Sequence, residues 1–205
     1  MKKFERLPVE ERQNEIMHAA IGLFLEKGFK ATTMENIVSK TTLSKGGVYR
    51  IYPSTTAILS DIMIHGMHMR NAFYEEYVKK LALEGKALTL PDLVHMIASS
   101  LLLSPEVSRI YVEFLWEKQR NEELEKLYED IENTTIVETN RLISKAGLEG
   151  MLPENGEIMK HLQDLMNSAI LSMHTLSLFP YFETHMEAIE KAITTILLSE
   201  MKETE

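Results

Sequence analysis

Apolar positions recur every three or four residues almost from end to end of this chain, and that period predicts helices rather than strands. From Val9 to Lys27 the residues Ile16, Ala19, Ala20, Leu23 and Phe24 fall at helical intervals, and Gly28 is placed to end the helix in a left-handed conformation. Thr33 can cap a short helix over 34–40 whose Ile37 and Val38 face inward. Ser44 can cap the next one, with Leu43 and Val48 at the two positions of a hydrophobic staple. A long helix starts after Ser54 and runs to about Leu83, burying a stripe of Ile58, Ile62, Met63, Met67, Tyr74, Tyr77, Val78 and Leu81. Further periodic segments cover 90–103, 105–119, 122–145, 154–178 and 182–201, and Pro91, Pro105, Pro153 and Pro180 mark their boundaries. About nine helices and no cleanly alternating segment predict an all-α fold.

The stretch 28–59 reads as two short helices around a tight turn, followed by a longer helix. The second short helix would expose Ser44, Lys45, Gly46, Gly47, Tyr49 and Arg50, a face with a cation, hydroxyls and an aromatic but little bulk at its front. A major groove accepts such a face. Two consecutive glycines cost a helix about 1 kcal/mol each relative to alanine. Close approach of the backbone to a duplex explains Gly46 and Gly47; a loose turn without a partner also would.

Gly28-Phe29, Thr33, Ile37, the run Leu43-Ser44-Lys45-Gly46-Gly47-Val48-Tyr49, Tyr52 and Ile58-Leu59 together resemble the N-terminal domain of TetR-type transcriptional repressors. The resemblance covers about the first 60 residues directly; beyond them the chain agrees with the family in length and helical character. It implies a three-helix helix-turn-helix DNA-binding domain, 1–53, joined to a helical ligand-binding and dimerisation domain, 54–205. It also implies base-facing roles for Lys45 and Gly47, a phosphate contact for Tyr49 and a backbone contact for Thr33, with Ser44, Gly46, Arg50 and Thr55 alongside. Three positions depart from the pattern: Thr41-Thr42 replaces a small pair before the turn, Thr55 replaces a lysine, and Ile51 stands where a histidine or aromatic is common. Thr55 and Thr56 can donate neutral hydrogen bonds in place of the lost cation.

Charge agrees with this division. Residues 1–58 hold nine Lys+Arg against six Asp+Glu, leaving 13 of the 22 basic residues against 25 of the 31 acidic ones for the rest, and a net of −9 overall. A basic head on an acidic body orients the head toward phosphate. No cysteine is present, which excludes disulfides and thiolate chemistry and fits a reducing cytoplasm. No run reaches the roughly 18 apolar residues that a membrane helix needs. The first 15 residues continue from basic into charged rather than apolar sequence, which predicts no signal peptide and a cytoplasmic protein.

The last two segments carry broad apolar stripes: Ile158, Leu162, Leu165, Met166, Ala169, Ile170 and Met173, then Met186, Ile189, Ile193, Ile196 and Leu197. Such stripes commonly form the core of one chain. The resemblance instead implies a homodimer through these two helices, presenting two reading helices to successive major grooves of a palindromic operator.

An effector pocket is also implied by the resemblance. Among the 13 methionines, Met63, Met67, Met96, Met166 and Met173, with Phe73, Tyr111, Phe114 and Trp116, can line an adaptable apolar cavity, or simply fill core. Asn71, Glu113, Glu117, Asn167 and His174 can hold the polar end of a ligand, and the net acidity hints at a cationic one. Catalysis has no anchor: there is no Gly-rich phosphate loop, no Ser/His/Asp constellation and no paired Glu-x-x-His set, only Glu15-x-x-His18. His65 with His68, and Asp92 with His95, leave a metal-binding bundle conceivable, and a helical ligand carrier without DNA binding is the other alternative. The sequence thus predicts a non-enzymatic, ligand-responsive DNA-binding regulator, a repressor released by an unknown small molecule, without cofactor or metal.

Overall fold

A computed structural model of the chain describes residues 8–147 and 157–200. Among them are ten α-helices and no strand: α1 Val9–Lys27, α2 Met34–Ser39, α3 Lys45–Ile51, α4 Thr55–Leu83, α5 Leu90–Ser99, α6 Pro105–Glu117, α7 Glu122–Lys145, α8 Glu157–Thr175, α9 Phe179–Thr184 and α10 Met186–Glu200. Short 3-10 turns follow α5 and α6, at Ser100–Leu102 and Lys118–Arg120.

Side chains in the connecting segments decide where most helices start. Thr33 forms a reciprocal capping box with Asn36, Thr89 does the same with Asp92, and Ser44, Ser54, Ser104 and Asn121 each accept from the backbone of the first turn. Pro91, Pro105 and Pro180 lie in the first turns of α5, α6 and α9, where a missing N–H leaves nothing unpaired. Gly28 closes α1 with φ +85°, its N–H bonded to the Phe24 carbonyl. The Thr41-Thr42 turn is stitched to α1 by Glu15, whose carboxylate accepts from the Thr42 backbone N–H and from its hydroxyl at 3.1 Å. Glu15 is thereby committed to this turn.

Two expectations are corrected. The segment 182–201 is not one helix: its first residues belong to a separate short α9 that begins at Phe179 with Pro180 in its first turn, and the chain breaks at His185 before α10. The segment 90–103 ends as an α-helix at Ser99 and tightens into its 3-10 turn. The expected helix start near Pro153 and end at Met201 lie outside the described residues.

The buried side chains form two clusters. One joins the head to its neighbours, with Ile16, Phe24, Ile37 and Val48 packed against Ile58, Leu59 and Ile62 of α4 and against Ile110, Phe114, Leu124 and Ile131 of α6 and α7. The other fills the body between the outer part of α4 and α5, α7, α8 and α10. Packing is therefore continuous across the proposed boundary at 53/54. In the second cluster Ile158, Leu162, Ala169, Met173, Ile189, Ile193 and Leu197 are buried within the single chain, and Leu165, Met166, Ile170, Met186 and Ile196 are half-buried against it. Much of the two apolar stripes thus serves the chain's own core. Leu176 after α8, Tyr181 of α9 and Leu198 of α10 are exposed.

Candidate nucleic-acid interface and ligand cavity

α3 is short, so its aim depends on its ends. Ser44 Oγ accepts from Gly47 N–H at 3.2 Å, fully buried Val48 anchors the inner face, and half-buried Leu43 packs on the same cluster. At the far end Tyr52 is 5% exposed and its hydroxyl donates to Asp61 of α4, locking α3 to the start of the long helix. Burial, and then the Asp61 carboxylate, push the Tyr52 pKa upward.

Gly46 and Gly47 lie within the first turn of α3 and not in a loose turn. A Cβ on Gly47 would sit 3.3 Å from Ser44 Oγ and crowd the cap, whereas a Cβ on Gly46 would meet nothing within 4 Å. Nothing inside the chain therefore requires Gly46 to lack a side chain. Thr33, Ser44, Lys45, Gly46 and Arg50 are exposed along this side, Gly47 and Tyr49 partly so, and Thr55 is half-buried at the start of α4.

Sequence inspection missed Glu35. Its Oε1 accepts from Lys45 Nζ at 2.9 Å and from the Tyr49 hydroxyl at 3.1 Å, with the ammonium 5.5 Å from the Tyr49 ring centre. The Lys45 hydrogen bond draws the Glu35 pKa down, and the carboxylate raises that of Lys45 in return. Tyr49 is raised by partial burial first and by Glu35 second. No spacing rule signals this trio, because the turn between α2 and α3 creates the juxtaposition.

α4 is an uninterrupted 29-residue helix that leaves the head and enters the body. There it walls a cavity of about 180 Å³ together with α5, α6, α7 and α8. Of the residues expected around a ligand, Met63, Met67, Tyr111, Met166 and Asn167 line it. The Tyr111 hydroxyl donates to Asn167 Oδ1 at 3.1 Å and Asn167 Nδ2 to the Tyr128 hydroxyl at 3.1 Å, a polar chain across α6, α8 and α7. Burial raises the pKa of Tyr111 and Tyr128 and keeps both protonated.

The other expected ligand residues lie elsewhere. Met96 and Met173 are buried in the body cluster and Phe114 in the head cluster. Asn71 Oδ1 is buried without a hydrogen-bond partner and outside the cavity lining. His174 Nε2 lies 2.7 Å from the hydroxyl of the lining residue Ser108, and its pKa is lowered by burial and then by Arg109. Glu117 points toward the head, 3.1 Å from Lys30 Nζ.

That last contact belongs to a second link between body and head. Glu113 accepts from the backbone N–H of Phe29, immediately after positive-φ Gly28. α6 thus lines the cavity with Val107, Ser108 and Tyr111 and grips the loop after α1 with Glu113 and Glu117. Neither Phe29 nor Lys30 carries a sequence signal for this role.

Among the described residues no three His, Asp or Glu side chains stand together as metal ligands. His65 and His68 are exposed, Asp92 caps α5, and His95 Nδ1 is 2.7 Å from Glu190 of α10. No helix among the described residues is long and apolar enough to cross a membrane.

A capped three-helix head, continued through α4 into an α-helical body with a cavity, is a helix-turn-helix head on a helical body. Residues 16–62 match the family model for bacterial regulatory proteins of the tetR family. Over these residues the head is a TetR-family DNA-binding domain. It is similar to the HTH-type transcriptional regulator YfiR of Bacillus subtilis, 40% identical over 58 residues, which is 28% of either chain. It therefore spans little more than a quarter of that relative's length. A second Bacillus subtilis regulator, YdeS, is 25% identical over 148 residues, 72% of this chain and 67% of its own. Among solved structures, Thermus thermophilus FadR, a TetR-family repressor in complex with lauroyl-CoA, superposes with a TM-score of 0.65 at 20% identity, covering 95% of this chain and 97% of its own.

Proposed function

We propose that the chain is a ligand-controlled repressor that binds a palindromic operator as a homodimer in the cytoplasm. Thr33, Ser44, Lys45, Gly46, Gly47, Tyr49, Arg50 and Thr55 form the DNA-facing set, with Lys45 reading a base edge and Tyr49 holding a phosphate. The second subunit docks on α8 and α10, where Leu198 of α10 is exposed and Leu176, just after α8, and Tyr181 of α9 are exposed nearby in sequence. A two-fold dimer then offers two reading helices to half-sites one helical turn, or a multiple of it, apart.

The observation that carries this reading is that two helices touch both sites. α4 holds Ile58 and Leu59 in the head cluster and Met63 and Met67 at the cavity, while α6 lines the cavity and grips Phe29 and Lys30 through two carboxylates. A ligand that spreads α4 from α6 turns the head and breaks the match to the half-sites. It does so only if it binds the spread state more tightly than the DNA-competent one. The fold neighbour captured with lauroyl-CoA supports the body as the effector site.

Selection of duplexes from a random pool, followed by titration of the winner at two salt concentrations, tests the reading. The expected result is an enriched palindrome whose affinity falls steeply with salt. Failure to enrich any sequence, with the protein folded, would point to a carrier without DNA binding.

A further inference from the structure

The cavity carries a charge opposite in sign to the protein around it. Although the body is strongly acidic, among the described residues no Asp, Glu, Lys or His lines the cavity, and the one formally charged lining residue is Arg70 of α4. Arg70 Nη2 donates to Thr135 Oγ1 of α7 at 2.7 Å, and that hydroxyl donates onward to the Ile131 carbonyl at 2.7 Å. Arg70 Nε is buried with no hydrogen-bond partner, and among the described residues no carboxylate comes within 4 Å of the guanidinium. The nearby acids are engaged elsewhere: Glu138 is paired with Arg141, and Glu132 interacts with the Tyr128 hydroxyl.

A guanidinium carries five donors and a fixed positive charge, and one threonine satisfies little of either. Arg70 is partly buried and its Nε is fully withdrawn from water without a partner, so its place beside apolar lining residues favours an anion. One cation balances one negative charge; a dianionic phosphate would leave the excess uncompensated in a low dielectric. Around it Met67, Leu101, Ile136, Leu162 and Ile170 offer apolar surface, and the volume of about 180 Å³ limits the ligand to a compact molecule. Ser104, whose Oγ accepts from Val107 N–H at 3.4 Å, keeps its own hydrogen to donate at the α6 end.

We propose that the cavity binds a small amphipathic monoanion, a carboxylate on an apolar body, with Arg70 as its counter-charge. This rests on the reading of the body as an effector domain and names the chemical class of the effector. The long-range acidity of the body does not oppose it, because exposed charges are screened within about 8 Å at physiological salt. An anion at Arg70 also acts directly on α4, the helix that carries the head.

Two measurements on the full chain test the proposal. Arg70→Met removes an unpaired cation from an apolar wall, so the ligand-free variant should melt a few °C above the wild type. A lower Tm would make Arg70 a structural brace and overturn the proposal. Calorimetric titration then compares phenylacetate and octanoate with phenylacetamide, octanamide and phenethylamine. At least one carboxylate should bind roughly tenfold or more tightly than its neutral and cationic counterparts, as a charge-assisted bidentate contact implies, and Arg70→Met should erase the preference. Equal binding by the amides or the amine, or none by either carboxylate, overturns it. Carboxylate binding supports the proposal even where affinity for the selected duplex stays unchanged, an outcome that counts instead against ligand-controlled DNA release.

Discussion

The head and the body are built from the same element, yet they bury different things. The head closes on buried Ile16, Phe24, Ile37 and Val48 and carries polar groups on its exposed side, where Lys45 and Tyr49 share the Glu35 carboxylate. The body wraps helices around a cavity lined by methionines, other apolar side chains, a few hydroxyls and amides, and a single cation. A reading surface must hold its geometry to about 0.5 Å, whereas an effector domain needs two arrangements of similar energy. The contrast fits the short, doubly anchored α3 of the head and the methionines that line the cavity of the body.

Phe114→Ala should have the largest effect. Phe114 is fully buried in the cluster that joins head to α6 and α7, so the variant should lose about 3–5 kcal/mol of stability. Chemical denaturation followed by separate probes in head and body will show whether both melt together; two separated transitions would mean that the shared cluster does not couple them.

Gly66→Ala comes next and acts where α4 crosses α6. A Cβ at Gly66 would lie 2.9 Å from Val107 Cγ1, so the helices must part or Val107 must turn, at about 1–3 kcal/mol. Duplex affinity should fall even without effector, since the added methyl mimics a spread α4–α6 pair. An unchanged affinity would show that this crossing does not report to the head.

Within the head, Lys45→Ala should weaken binding to the selected duplex on the order of tenfold and relax its sequence preference, while Tyr49→Phe should weaken all duplexes alike. Equal losses on specific and random DNA from Lys45→Ala would remove its base-reading role. Glu35→Gln should work the other way. It frees Lys45 and Tyr49 and removes a negative charge beside the duplex, so binding should tighten several-fold with little change in Tm, because the pair is exposed. Weaker binding would mean that Glu35 positions Lys45 for the groove.

The smallest expected effect is a pH dependence seated in the body. Burial lowers the His174 pKa below 6.5, so the folded chain binds fewer protons there than the unfolded one. The stability from neutral His174 is therefore present above pH 6.5 and declines as pH falls below it. His174→Gln should flatten that part of the Tm-against-pH curve, and an unchanged slope would assign it to other groups.

The chain's own sequence determined whatever depends on neighbours within a few positions. The start of α3 after Ser44, the staple of Leu43 and Val48, and the end of α1 at Gly28 follow from side-chain oxygens, apolar spacing and a missing Cβ acting over one helical turn. α7 likewise spans its expected 122–145 because Asn121 caps it and its period is unbroken. Tertiary structure decided what depends on distant segments meeting: Glu15 holding Thr42, Glu35 holding Lys45 and Tyr49, and Glu113 reaching Phe29 across 84 positions. It also decided which methionines face a cavity, since Met67 and Met96 obey the same periodicity yet only Met67 lines it. The sign of the cavity's charge was equally hidden, because net acidity sums over exposed residues whereas a ligand meets only the groups that packing turns inward, here Arg70.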